Sequence, residues 1–206
     1  MQNIKYFYII GFCLLSIIIL TACIGTKKDL TSEEFISIAS KYGYKTFDET
    51  FDELGRNSVD TGETVKIDFE ELKNKFDNSF DVKNSENKTS LMNIDLTKQL
   101  SFISFVEFED EKYASEVMND WDWVKKKKEL GQLPVNIKNG SSIADFEEIL
   151  VGQAKRVIVT GTSSSNDVKK WKMFVIYSKV GNNVVQILHR AESKEDVDKL
   201  LDELGF

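Results

Sequence analysis

The sequence predicts an α+β fold, a single antiparallel sheet with helices packed on it, and three observations carry that reading. Residues 100–108 form a strand that is apolar on both faces, three strands crowd the last third of the chain, and capped helices stand near residues 31–44 and 193–206, the two ends of the domain. Strands and helices that come in runs, without regular alternation, favour an antiparallel sheet over a parallel βαβ layout.

The first folded element begins sharply. Thr31 precedes Glu34 by three residues, which makes a capping box, and Leu30 can staple onto Phe35. Phe35, Ile38, Ala39 and Tyr42 recur at helical spacing, Gly43 supplies a left-handed stop, and Tyr44 can fold back on the last turn. Residues 46–48 read as a short strand. Residues 67–76 place Phe69, Leu72 and Phe76 at helical spacing, whereas residues 78–89 are polar and turn-rich and read as a mobile loop or insertion.

The strand at 100–108 carries Leu100, Phe102, Val106 and Phe108 on one face and Ile103 and Phe105 on the other, so it belongs in the middle of its sheet. Asp110 starts one helix that turns Ala114, Val117, Met118 and Trp121 inward and ends in four lysines, 125–128, where positive charge suits the helix dipole. Gly131 and Pro134 then mark a boundary. Residues 154–160 read as a strand and 161–167 as a polar connection. Strands at 172–179 and 184–190 follow, joined through Gly181 and Asn182 as a hairpin whose two turn residues both tolerate positive φ. Ser193 caps a last helix bearing Val197, Leu200, Leu201 and Leu204. Residues 31–44 and 193–206 share one grammar of cap, acids, apolar stripe, glycine and aromatic, which is either a duplicated unit or shared capping chemistry.

Ahead of this domain lies a secretory leader. Lys5 and the amino terminus are positive, residues 7–20 are apolar apart from Gly11 and Ser16, and the run is short for a spanning helix of ~20 residues. It closes in Leu20-Thr21-Ala22-Cys23, the pattern of a bacterial lipobox. That pattern implies cleavage before Cys23 by a lipoprotein signal peptidase that reads Leu20, Thr21 and Ala22, and a diacylglyceryl thioether on Cys23. An uncleaved signal anchor is the alternative, and both tether the chain at the outer face of a membrane. The expected organisation is a signal peptide at 1–22, a lipid-anchored tether at 23–30 and one α+β extracytoplasmic domain at 31–206. Cleavage would remove Lys5 and Cys13 and leave Cys23 as the only cysteine, so a core and no disulfide framework must hold the domain. A flexible tether of about eight residues spans ~15 Å, which keeps Lys27 and Lys28 near lipid headgroups or leaves them as a solvated linker.

The net charge of −7 argues against nucleic acid as a partner. His189 is the only histidine, so a multi-histidine zinc site is excluded; no metal and no cofactor are expected. Glu107, Glu109, Asp110 and Glu111 offer carboxylates for a cation or a glycosidase pair, but strand alternation and helix capping also explain them. The better candidates for binding are Trp121 and Trp123 beside Lys125, Lys126, Lys127 and Lys128, and Lys169 and Lys170 beside Trp171. Such basic and aromatic sets engage sugar rings, anionic polymers or headgroups. Core burial of Trp121 with solvated lysines is the structural alternative.

The Tyr42-Gly43-Tyr44 helix end, the run Phe105-Val106-Glu107-Phe108-Glu109-Asp110 leading into Tyr113-Ala114, the turn Lys179-Val180-Gly181-Asn182 and the tail Leu204-Gly205-Phe206 resemble small uncharacterised lipoproteins of low-GC Gram-positive bacteria. The resemblance spans most of the chain after the leader; residues 49–99 are longer than its pattern, and lysine stands at 179 where arginine is commoner. It implies a fold and an anchor and brings no activity. The expectation is therefore a lipid-anchored, non-enzymatic binding module whose partner is an envelope protein or a wall polymer, with a carboxylate-dependent surface hydrolase as the alternative.

Overall fold

The computed structural model describes residues 30–54, 59–60, 66–67, 84–95, 99–137, 141–163 and 171–206. Thr31–Phe206 is one compact unit. Its elements are α1 (Ser32–Lys41), α2 (Phe47–Leu54), a two-stranded ribbon of β1 (Val59–Asp60) and β2 (Lys66–Ile67), β3 (Ser85–Asp95), β4 (Gln99–Phe108), α3 (Glu111–Asn119), α4 (Asp122–Glu129), β5 (Val135–Asn136), β6 (Ser142–Val151), β7 (Ala154–Ser163), β8 (Trp171–Val180), β9 (Asn183–Ala191) and α5 (Glu195–Leu204). Seven strands form one antiparallel sheet in the order β3-β4-β9-β8-β7-β6-β5. The chain is thus α+β as its sequence predicts. After β4 it crosses the sheet through α3 and α4 to β5 at the far edge, then meanders back until β9 closes against β4.

Apolar residues on both faces of β4 explain its place. On one face Phe105 stacks on Phe35 of α1 with ring centroids 5.5 Å apart and meets Phe206 edge-on at 6.4 Å. Val197, Leu200, Leu201 and Leu204 of α5 are buried there as well. On the opposite face Val106 and Phe108 join Ala114, Met118 and Val124 of the crossing helices and Phe146, Val157 and Val159 from the far strands. Each fully buried Val, Leu, Met or Phe among them contributes about 1.5–3 kcal/mol of hydrophobic free energy.

The helix ends follow local chemistry. The Thr31 hydroxyl accepts from the Glu34 N–H while the Glu34 carboxylate accepts from the Thr31 N–H, so two orphan donors are satisfied together. Gly43, at φ +80°, closes α1 with the paired Schellman bonds: Gly43 donates to Ser40 and Tyr44 to Ala39. The same pair closes α4 at Gly131 and Gln132 and α5 at Gly205 and Phe206. The resemblance between α1 and α5 therefore extends to their stops. Their starts differ, because the Ser193 hydroxyl accepts from Glu195 and no side-chain bond comes from Lys194 at the cap of α5.

Several expectations are corrected. Residues 46–48 are not a strand: Lys45 makes one bridge to Met92, and a second capping box, with Thr46 and Glu49 bonded to each other, starts α2. Residues 85–89, expected in the loop, instead open strand β3; this polar edge strand is held by its register with the buried β4. Residues 68–83, including Phe69, Leu72 and Phe76, lie outside the described residues, as do 1–29 with Leu20, Thr21, Ala22 and Cys23. The single helix expected after Asp110 is two, broken near Asp120 and Trp121, which aims Val124 into the core. Residues 142–151 form a strand whose alternation is broken by a bulge between Ile143 and Asp145. Residues 161–163 continue β7 and are not part of the connection. A Cβ on Gly161 would lie 2.2 Å from the Ser142 carbonyl oxygen, so only glycine fits beside the bulge. In the β8–β9 turn Gly181 alone has positive φ, the pattern of a II′ turn rather than I′.

Candidate functional site

The helix α4 carries the basic and aromatic residues singled out by sequence. Trp121 turns inward, its ring 5.7 Å from that of Tyr177. Trp123 faces outward with 45% of its surface exposed. The four lysines divide as well. Lys125 pairs with Glu148 at 3.5 Å and Lys128 with Asp145 at 3.0 Å, and Lys128 also donates to the Phe146 carbonyl. Lys127 donates to Gln132 at 2.8 Å, whereas Lys126 makes no ion pair among the described residues. Bonds from Lys128 and the Phe146 N–H hold the Asp145 carboxyl below its ordinary pKa, and Lys155, at 2.9 Å, does the same for Glu148. Such exposed pairs contribute about 0–1 kcal/mol each. Their effect is positional: they fix α4 over strand β6, beside an open depression of about 610 Å³ lined in part by Phe146, Glu147 and Ile149.

The second predicted set is not assembled here. Lys169 and Lys170 lie outside the described residues, and Trp171 is described only by its backbone, which pairs with Ser163. The acidic run is absorbed by structure. Glu107 accepts from Asn87, Asp110 caps α3 by accepting from Lys112 and Tyr113, and Glu111 pairs with the buried Lys179 at 2.7 Å. Among the described residues no three or more His, Cys, Asp or Glu side chains are grouped to hold a metal ion.

Sequence reasoning missed a cavity of about 290 Å³ on the other face of the sheet, between the end of α1, the β3–β4 hairpin, β9 and the start of α5. Tyr42, Tyr44, Asn93, Gln99, His189 and Asp196 line it. The Tyr44 hydroxyl is bonded to Ser101 at 2.6 Å, and burial pushes its pKa up to about 12. The Tyr42 hydroxyl donates to Glu203 at 2.9 Å, and Lys41 pairs with the same carboxylate. Asn93 Nδ2 donates to the Tyr42 carbonyl at 2.8 Å. His189 is 2% exposed, lies in stacked contact with Phe174, and has its Nε2 2.9 Å from the Ser193 carbonyl, so Nε2 carries the proton and Nδ1 is a lone-pair acceptor. Nδ1 is buried and has no hydrogen-bond partner among the described residues.

Burial lowers the His189 pKa, against the Ser193 carbonyl and the Asp196 and Asp198 carboxylates, which raise it. A depressed imidazole stabilises the fold where the ring is neutral in both states and loses that contribution as pH falls below the unfolded value of about 6.5. Urea midpoints should therefore drop between about pH 7 and about pH 5.5, before most carboxylates titrate, and His189→Gln should flatten that slope. An unchanged slope in the variant would show that His189 does not carry it.

No helix among the described residues is long and apolar enough to cross a membrane. No protein-family model matches the chain, and neither does any curated protein. Among solved structures the chain is distantly similar to the extracellular domain of PknH from Mycobacterium tuberculosis, with a TM-score of 0.37, 13% identity, and coverage of 59% of this chain and 66% of that one.

Proposed function

We propose that this chain is a lipoprotein, anchored through a diacylglyceryl group on Cys23 at the outer face of the cell membrane, whose domain is a non-enzymatic module binding an envelope protein or a wall polymer. The Leu20-Thr21-Ala22-Cys23 pattern after a short apolar run supports the anchor, and the resemblance to small lipoproteins of low-GC Gram-positive bacteria agrees with it. One observation supports the binding reading: Trp123 stands exposed beside Lys126, which makes no ion pair among the described residues, on a helix that Lys125 and Lys128 fasten to the sheet. An indole and an ammonium held on a fixed helix suit stacking against sugar or aliphatic surface with a nearby anion.

Hydrolysis by a carboxylate pair needs one carboxyl held protonated. Among the described residues each carboxyl with a shifted pKa is shifted down: Glu49 by Thr46, Glu111 by Lys179, Asp145 by Lys128, Glu148 by Lys155, Glu195 by Lys199 and Glu203 by Lys41. That chemistry suits ion pairing rather than proton donation. Crosslinking of cells expressing the full chain, followed by capture, should recover an envelope protein or wall fragments, and Trp123→Ala with Lys126→Ala should cut that yield severalfold. Equal yields from the double variant would remove the α4 face from the account.

A further inference from the structure

We propose that the outer side of β6, from Glu147 to Val151, is a docking site for an extended, basic segment of a partner protein, which adds a strand to the sheet beside α4. The proposal rests on the binding reading above and narrows its partner to a polypeptide. Its first ground is the direction of the main-chain groups. Along an antiparallel pair, residues alternate between those that turn N–H and C=O toward the neighbouring strand and those that turn both away. The two-residue turn Gly152-Gln153 closes the β6–β7 hairpin with Val151 opposite Ala154, so Val151, Ile149 and Glu147 bond to β7, whereas Leu150, Glu148 and Phe146 face outward. Phe146 obeys this alternation, because side chains take both of its groups: its N–H donates to Asp145 at 2.8 Å and its carbonyl accepts from Lys128.

Beyond Phe146 the outer side is open. β5 pairs with β6 only at Ser142 and Ile143, and Pro134, the residue before β5, has no N–H with which to lengthen it. Among the described residues no strand pairs with the outward groups of Glu148 and Leu150. These N–H and C=O groups repeat every two residues, about 7 Å apart, which is the period of an extended polypeptide backbone and not of a sugar or a headgroup. The side chains around them name the partner's chemistry. Apart from Ile36, every exposed large apolar side chain among the described residues lies on this side of the domain: Trp123, Leu130, Ile137, Ile149 and Leu150, the last with 79% of its surface open. The depression between β6 and Lys125, Lys128 and Glu129 of α4 runs along the same stretch. Those two lysines are spent on Glu148 and Asp145, while Glu147 is exposed and makes no ion pair among the described residues. A lysine or arginine on an added strand would meet Glu147, and apolar residues would meet Ile149 and Leu150. A second copy of β6 would instead bring its own Glu147 and Glu148 on a chain of net charge −7, so like charge disfavours self-pairing.

The test titrates full-length chain in neutral detergent into a fluorescein-labelled octapeptide of alternating valine and lysine, with valine-glutamate and glycine-lysine octapeptides as controls. The first should bind saturably and at least about tenfold more tightly than either control. N-methylation of its valines and N-methylation of its lysines should have unequal effects, one set abolishing binding and the other sparing it, because a strand uses one edge. Leu150→Pro removes an outward N–H without touching the β7 ladder and should weaken binding about tenfold beyond Leu150→Ala, which keeps that N–H. Glu147→Lys should reverse the preference between the lysine and glutamate peptides. Amide exchange at Glu148 and Leu150 should be fast in the free chain, faster than at Glu147 and Ile149, and should slow on peptide binding. No saturable binding up to about 1 mM, equal effects of the two methylated sets, or unchanged exchange at Glu148 and Leu150 would overturn the site. Protection of those two amides that grows with protein concentration, without peptide, would put a second copy there and overturn the foreign partner. If the peptide fails while Trp123→Ala with Lys126→Ala still lowers capture from cells, the α4 face stands and strand addition falls, so the two failures are separate results.

Discussion

Phe35→Ala should lower the unfolding free energy by about 3–5 kcal/mol, the range for emptying a fully buried phenylalanine site. Phe35 has no exposed surface, and its ring supports Phe105, which in turn meets Phe206 from the last residues of the chain. The substitution therefore removes one member of a row of three aromatic rings that joins α1, β4 and the end of α5. Phe35→Leu should lose only part of that amount, because most of the volume is kept. The measurement is urea unfolding followed by far-UV circular dichroism. A loss below about 1 kcal/mol would show that α1 is not seated on β4 as described.

Arg156→Ala should cost about 3 kcal/mol, with Arg156→Lys intermediate. The guanidinium is 4% exposed on β7, contacts Asp202 at 3.1 Å and Asp198 at 3.7 Å, and donates to the main-chain oxygen of Phe206. Removing one partner of a buried pair costs about 3–5 kcal/mol when the other is stranded. Here the loss belongs at the lower end, because Asp202 is 61% exposed and regains water when the arginine goes. Lysine keeps the charge but cannot span the two carboxylates and the carbonyl with a rigid fork. Hydrogen exchange should localise the effect, with α5 amides losing protection before those of β4. Uniform loss across the sheet would contradict a role for Arg156 in docking α5.

The parts of the fold written in local chemistry were legible from sequence. Thr31 with Glu34, and Gly43 with Tyr44, specify both ends of α1 within a few residues, and the two apolar faces of residues 100–108 place β4 at the sheet centre. The β8–β9 hairpin was legible for the same reason, although one positive φ at Gly181 serves where two were expected. Thr46 and Glu49 carry the same capping signal as Thr31 and Glu34, and the helix they start was read as strand because its apolar stripe is short. β3 and β6 were illegible on physical grounds. β3 is a polar edge whose state is set by pairing with β4, and the bulge in β6 breaks the period of two that marks a strand.

The candidate sites divide along the same line. Trp121 and Trp123 were visible as a pair, but only the break between α3 and α4 decides that one is core and the other surface. The lysines after them were read as one basic patch, but carboxylates of β6, distant in sequence, fasten Lys125 and Lys128, and Lys127 bonds the nearby Gln132 amide. The cavity beside His189 draws on residues 42, 44, 93, 99, 189 and 196, and no local motif announces it.

Labelled palmitate fed to Gram-positive cells expressing the chain tests the proposed anchor at Cys23. Label should appear in the membrane fraction on a mature protein that begins at Cys23, and should be lost completely in Cys23→Ala. An unlabelled wild-type protein that retains Met1, or label that persists in the variant, would contradict it.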